Sequence, residues 1–195
     1  MPRIVLASTS RYRQELLARL GLPFTVTAPE APELALEGEP PATMAARLAL
    51  AKALSVEAAD ALVIGSDQVA SLDGRLLRKP GRQDVAVAQL AACQGKTVRF
   101  HTAAVVVDTR SGARIEHVDL TEVRFRSLEI PALERYVALE EPLDCAGSFK
   151  AEGLGVTLFE EIVSTDPTAL IGLPLIWLAG ALRTMGADPL APASA

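Results

Sequence analysis

Cysteine, histidine and aromatic residues are scarce in this chain: two, two and 4% of 195 residues. Cys93 and Cys145 are too few for a disulfide framework, and no CxxC pair offers a zinc site. His101 and His117 fall in strand-like segments without ligand spacing, so both read as structural. No apolar run reaches the ~18 residues of a membrane helix, and no basic and then apolar leader marks export. A cytoplasmic protein without a membrane partner is therefore expected. GxxxxGK[ST] is missing, which excludes an ordinary P-loop, and no GxSxG elbow surrounds Ser8, Ser10 or Ser66. A basic surplus is missing too. The net charge of -5 speaks against a nucleic-acid partner, yet a mononucleotide needs only a local basic pocket.

What remains is a globular composition, half hydrophobic and 22% charged. The length suits one domain, expected over residues 1–190, with 191–195 as a flexible tail. Arg3 to Ala7 reads as a buried strand. Ser8-Thr9-Ser10 leads into a helix whose Leu16, Leu17 and Leu20 share a face and which Gly21 stops. A short strand is expected over 24–27, a Pro- and Glu-rich loop over 28–41, and a helix over 42–59. A buried strand follows at 61–65 (ALVIG), then a hairpin signal at Asp73-Gly74. A helix is expected over 84–93 and two long strands over 97–108 and 113–126. Helices near 131–140 and 174–185 flank an irregular stretch at 142–155 and a strand over 155–163. The pattern implies an α/β fold: a mixed, partly antiparallel sheet flanked by helices, in two lobes around a deep cleft.

Three features carry chemistry. The helix opening at Ser10 places Arg11 and Arg13 in its first turn, where the macrodipole disfavours cations by about 0.3–1 kcal/mol each. An anion there would be met by free amides, serine hydroxyls and guanidinium together. Taken alone, Ser10 is equally an ordinary N-cap. Met44, Leu48 and Lys52 stand at i, i+4 and i+8, so Lys52 continues an apolar stripe. It either snorkels to solvent or reaches a phosphate in a cleft. Asp67 follows ALVIG directly, at the expected carboxyl end of a buried strand, where α/β sheets bind ligands. It could hold a divalent cation or take a proton from water, with Glu30 and Glu33 of the preceding loop completing a metal site.

The blocks LASTSRYRQELLARLG (6–21), GSDQV (65–69), RKPG (78–81), CAGSFKAEGLG (145–155) and LIGLPL (170–175) stand in an order that resembles the Maf family of nucleoside triphosphate pyrophosphatases. The resemblance spans essentially the whole chain. It implies a fold like that of inosine triphosphatases and hydrolysis that releases a nucleoside monophosphate and pyrophosphate, assisted by Mg2+ or Mn2+. It also implies a homodimer and a house-cleaning role in nucleotide metabolism. By this resemblance Asp67 is the proton acceptor that activates water. Ser8, Ser10, Arg13, Lys52 and Lys79 line the triphosphate site, and Glu33 joins Asp67 on the metal. Relatives commonly carry proline where this chain has Arg11, so the helix start loses a pre-set backbone.

Tyr12, Gln68 and Glu152 resemble the subgroup that hydrolyses 7-methyl-GTP, in which the first position is commonly tryptophan, whereas the dTTP/UTP subgroup looks like Arg, Thr and Gln. The chemistry agrees. Methylation at N7 makes guanine cationic, and stacking on Tyr12 gains about 0.5–2 kcal/mol. A carboxylate at Glu152 could accept from guanine N1–H and the exocyclic amine, but would meet carbonyls on a pyrimidine. The same reaction on dTTP or UTP, a nucleotide-sensing regulator of cell division without hydrolysis, and a transferase using the same cleft stay open at this point.

Overall fold

The computed structural model describes residues 2–191. The tail expected at 191–195 therefore lies, Ala191 apart, outside the described residues. Strand β1 (Arg3–Ala7) is flanked in parallel by β2 (Phe24–Thr27) and β3 (Ala61–Leu72). Beyond β3 the sheet turns antiparallel, through β5 (Thr97–Asp108), β6 (Arg114–Phe125) and β7 (Phe159–Val163). Strand β4 (Arg75–Leu77) pairs only with the end of β3. The sheet is mixed, as the sequence pattern implied.

Helix α1 (Arg11–Ala18) starts where Ser10 accepts from the Arg13 amide at 3.4 Å, and Gly21, at φ +69°, turns the chain away. Its Leu16 and Leu17 are fully buried with Ile4, Leu6, Leu62 and Ile64 against α5 (Leu175–Thr184). Each such leucine contributes about 1.5–3 kcal/mol. Helix α2 (Pro41–Leu54) covers the other face through Ala45, Ala49 and Ala53. It ends five residues short of the expected 59, because the Ser55 hydroxyl caps the Lys52 carbonyl at 3.0 Å. Small residues let it come very near: a Cβ on Gly65 would stand 2.1 Å from the Ala49 carbonyl oxygen. A third core, around Phe100, Phe125, Phe149 and Phe159, packs α3 (Gln83–Cys93) and α4 (Ile130–Glu140) at the far end of the long strands. Residues 154–158 form a 3₁₀ turn, so the strand expected from 155 begins only at Phe159.

Strand β3 is the hinge of the design. Its first five residues pair with β1 and its last three with β4, which leaves Ser66–Val69 without a strand partner on that edge among the described residues. Asp67 therefore lies within a twelve-residue strand, not beyond a five-residue one. It still marks the carboxyl end of the parallel segment, since β1 stops at Ala7 opposite Gly65. The cleft opens at this gap, between the two lobes.

Candidate active site

Chain direction and strand alternation decide which side chains reach the gap. Asp67 shares a face with Val63 and Val69, toward α2; Ser66 and Gln68 point to the opposite face, toward α1 and α5. At the unpaired edge both faces meet one cleft of about 890 Å³. Ser8, Ser10, Tyr12, Arg13, Glu33, Lys52, Asp67, Gln68, Lys79 and Glu152 all line it. These ten residues, all read from the sequence, are thus brought to one cavity, of a size suited to a small-molecule ligand. Glu30 is not. It is exposed outside the cleft, and its backbone amide instead donates to Ser55 Oγ at 3.1 Å. Its expected share in a metal site is not supported by this placement. His101 and His117 also lie off the cleft; His117 stacks on Trp177 with ring centroids 5.4 Å apart.

The first group of residues is charged. Lys52 is only 6% exposed, so it does not snorkel. Its Nζ donates to Asp67 Oδ1 at 2.6 Å and lies 2.5 Å from Glu33 Oε1. Desolvating an ammonium and a carboxylate costs several kcal/mol per ion, which their close pairing offsets. The loop bearing Glu33 is fastened to α2 on both sides. Ser55 holds Glu30, and Arg47 forks onto Glu39 at 2.6 Å while donating to the Leu34 carbonyl at 2.9 Å. The hydrogen bond from Lys52, with the charges of Lys79 and Arg13, holds the Glu33 carboxyl below its ordinary range. Burial lowers the Arg13 pKa, and Asp67 and Glu33 oppose that shift. Arg13 Nε donates to the Gly172 carbonyl at 2.9 Å, which aims the guanidinium into the cleft from the first turn of α1. Ser8 Oγ accepts from the Ser10 amide at 3.1 Å and is 3% exposed.

The second group gathers around an aromatic ring. Tyr12 stands beside Cys145, with Oη and Sγ 4.0 Å apart. Burial pushes the Tyr12 hydroxyl well above its usual range, with Cys145, Asp144 and Glu152 adding to the rise. Tyr12, Cys145, Asp144 and Glu152 therefore form one neighbourhood, distinct from the cations. Arg11 is exposed and pairs with Glu15 at 3.2 Å, its guanidinium 5.7 Å from the Tyr12 ring centre. Sequence reasoning left Arg78 and Lys150 unassigned although both line this cavity. Both stand in quoted blocks, RKPG and CAGSFKAEGLG, so the signal was present.

One short segment serves both groups. Asp166 caps the start of α5, accepting from Thr168 N at 2.9 Å and Ile176 N at 2.7 Å. The intervening 3₁₀ turn, residues 169–171, lays its Ala169 and Leu170 carbonyls against Gln68 of β3. Gly172 O accepts from Arg13 and from Ser66 Oγ at 3.0 Å; Ala169 O and Leu170 O accept from Gln68 Nε2, each at 3.0 Å.

One cavity lined by cations, carboxylates and an aromatic ring offers partners for a polyphosphate and a face for a base, as enzymes of nucleotides do. Comparison with known proteins agrees. The model for Maf-like protein matches residues 3–185, and the chain belongs to that family. A 7-methyl-GTP pyrophosphatase of Xanthomonas axonopodis pv. citri is 54% identical over 188 residues, covering 95% of this chain and 98% of that protein. Another of the same name from Burkholderia lata is 53% identical, over 93% of this chain and 89% of its own. A third, from Burkholderia thailandensis, is 52% identical over 203 residues, covering all of this chain and 94% of that protein. Among solved structures, a HAM1 protein from Coxiella burnetii gives a TM-score of 0.40 at 15% identity, over 64% of this chain and 73% of that one. That likeness is too slight to argue from. No helix among the described residues is long and apolar enough to cross a membrane.

Proposed function

We propose that the protein is a nucleoside triphosphate pyrophosphatase that converts 7-methyl-GTP to 7-methyl-GMP and pyrophosphate. One observation carries this reading: the cations of α1 and α2 surround Asp67 in the same cavity that holds Tyr12 and Glu152. Names borne by relatives above 50% identity, over nearly the full chain, support the same choice.

In this reading Arg13, Lys52 and Lys79 bind the triphosphate, joined by the Ser8 and Ser10 hydroxyls and the first amides of α1. They neutralise charge that grows on phosphate oxygens as the anhydride bond breaks. Asp67 orients a water toward the α-phosphorus and takes its proton. Tyr12 stacks on the cationic base, and Glu152 accepts from guanine N1–H and the exocyclic amine.

Glu33 and Asp67 converge on one positive group, the Lys52 ammonium, through hard oxygen donors. Two carboxylates facing a common cation suit Mg2+ or Mn2+, whose other ligands are waters and substrate phosphates. When bound, such a metal supplies Lewis-acid neutralisation of the phosphates. The protein's own part is to hold those oxygens in place, which the fastening of the 28–40 loop to α2 provides.

The test is a panel of 7-methyl-GTP, GTP, UTP and dTTP, assayed for pyrophosphate with and without Mg2+ or Mn2+. Preference for 7-methyl-GTP with metal dependence is expected. Preference for UTP or dTTP would overturn the substrate, and tight triphosphate binding without hydrolysis would overturn the activity. A house-cleaning role in the cytoplasm is proposed with it and requires low activity on GTP in the same panel. A homodimer is proposed with it and is checked by light scattering.

A further inference from the structure

Gln68 is held by its nitrogen. Nε2 donates toward Thr102 Oγ1 at 2.9 Å and the carbonyls of Ala169 and Leu170 at 3.0 Å, two protons shared among three acceptors. Thr102 is fully buried, and its hydroxyl proton is committed to the Ala169 carbonyl at 2.9 Å, so toward Gln68 its oxygen only accepts. Amide orientation is often a matter of assignment, but here the chemistry decides it. A reversed amide would set its oxygen against two carbonyl oxygens with no proton between them. Gln68 Oε1 has no hydrogen-bond partner among the described protein groups, and no side-chain oxygen or nitrogen is buried without one. The residue lines the cleft, so that oxygen is the part left for a ligand.

We infer that Thr102, fully buried and off the cleft, is a positioning residue for specificity: as a third acceptor beside the Ala169 and Leu170 carbonyls, it helps hold Gln68 as a hydrogen-bond acceptor facing the base. The inference rests on the proposed function and deepens it. Gln68 Oε1 and the Glu152 carboxylate then offer acceptors alone. That set fits a base edge with adjacent donors, as guanine has in N1–H and its exocyclic amine. It opposes a pyrimidine edge, where one N–H lies between two carbonyls. Leaving an acceptor unmatched in a desolvated site is penalised more heavily than a missing apolar contact.

Two measurements on the full chain test this. In wild-type protein the Gln68 side-chain NH2 resonances, assigned through Gln68→Leu, are expected to exchange slowly with solvent. Fast exchange would mean the amide points outward and would overturn the inference, whether or not any nucleotide is hydrolysed. In Thr102→Val, an isosteric change that removes only the hydroxyl, KM for 7-methyl-GTP should rise about five- to tenfold with kcat nearly constant. KM for UTP should stay unchanged or fall, and Thr102→Ser should restore the wild-type ratio. An unaltered ratio in Thr102→Val would overturn the inference. Wild-type enzyme inactive on both nucleotides would strike the proposed function alone, and the exchange measurement would still stand. Should Thr102→Val fail to fold, Thr102→Ala, which also lacks the hydroxyl, is read by the same ratio and by the same exchange rates.

Discussion

Asp67 and Gln68 are neighbours in sequence, yet the protein holds them by opposite means. Asp67 lies on the α2 face of β3, gripped by a buried ammonium at 2.6 Å. Gln68 lies on the α5 face, gripped by neutral carbonyls and a hydroxyl. Strand alternation alone would send the two side chains into separate compartments. Only the missing partner strand at 66–69 lets one bound molecule touch both. In the proposed function the difference teaches that reaction and recognition are mounted on one strand, with charge serving the first task and hydrogen-bond polarity the second.

The sharpest way to break this comparison is at the charged residue. Asp67→Asn is expected to lower kcat at least ~10²–10⁴-fold, the usual worth of a positioned base. Its circular dichroism should stay native. Turnover near wild type would remove Asp67 from the reaction. The counterpart change at the recognition end, Tyr12→Arg with Gln68→Thr and Glu152→Gln, should move the kcat/KM ratio toward UTP and dTTP by roughly 10- to 100-fold. An unmoved ratio in steady-state assays would show that these three positions do not read the base.

A third change tests the scaffold both share. Gly65→Ala would drive a methyl against the Ala49 carbonyl and within 2.9 Å of Ala53 Cβ. It should cost about 1–3 kcal/mol in chemical denaturation, because a packed helix must shift. Since Lys52 rides on that helix, activity should fall with stability; a variant as stable as wild type would show that α2 is not pressed on β3. The smallest effect concerns Glu33, whose folded-state carboxyl lies below its unfolded value near ~4.3. Its pairing is present in full above the unfolded value and fades as pH falls through the folded one. The side chain is 59% exposed, so the contribution is limited to about 0.2–1 kcal/mol. The gap in melting temperature between wild type and Glu33→Gln should narrow below pH ~4. A gap constant from pH 7 to 3 would mean that Lys52 lends Glu33 no stability.

Much of this was legible before any coordinates. β1, β2 and the β5–β6 pair follow from apolar runs and turn residues, and the Met44–Leu48–Lys52 spacing does place a lysine on the cleft wall. The length of β3 was hidden because Ser66, Asp67 and Gln68 break its apolar run, and polar residues do not look like buried strand. Asp67 was therefore read as following the strand. The early end of α2 was hidden because Ser55 stops it with a side-chain cap that ordinary propensity does not weigh. The committed amide of Gln68 was invisible altogether, since its partners stand more than thirty and a hundred positions away in the chain.

The turn at 169–172 has a consequence for how such a protein can change. Its carbonyls grip Gln68 at one position and Arg13 at the other. Gly172 holds φ near +130°, a backbone state in which side chains are strained. A lineage that retunes its choice of base by moving this turn will loosen its hold on phosphate in the same stroke. Drift toward new nucleotides should therefore run through Tyr12 and Glu152, which can vary one at a time, and leave the turn as it is.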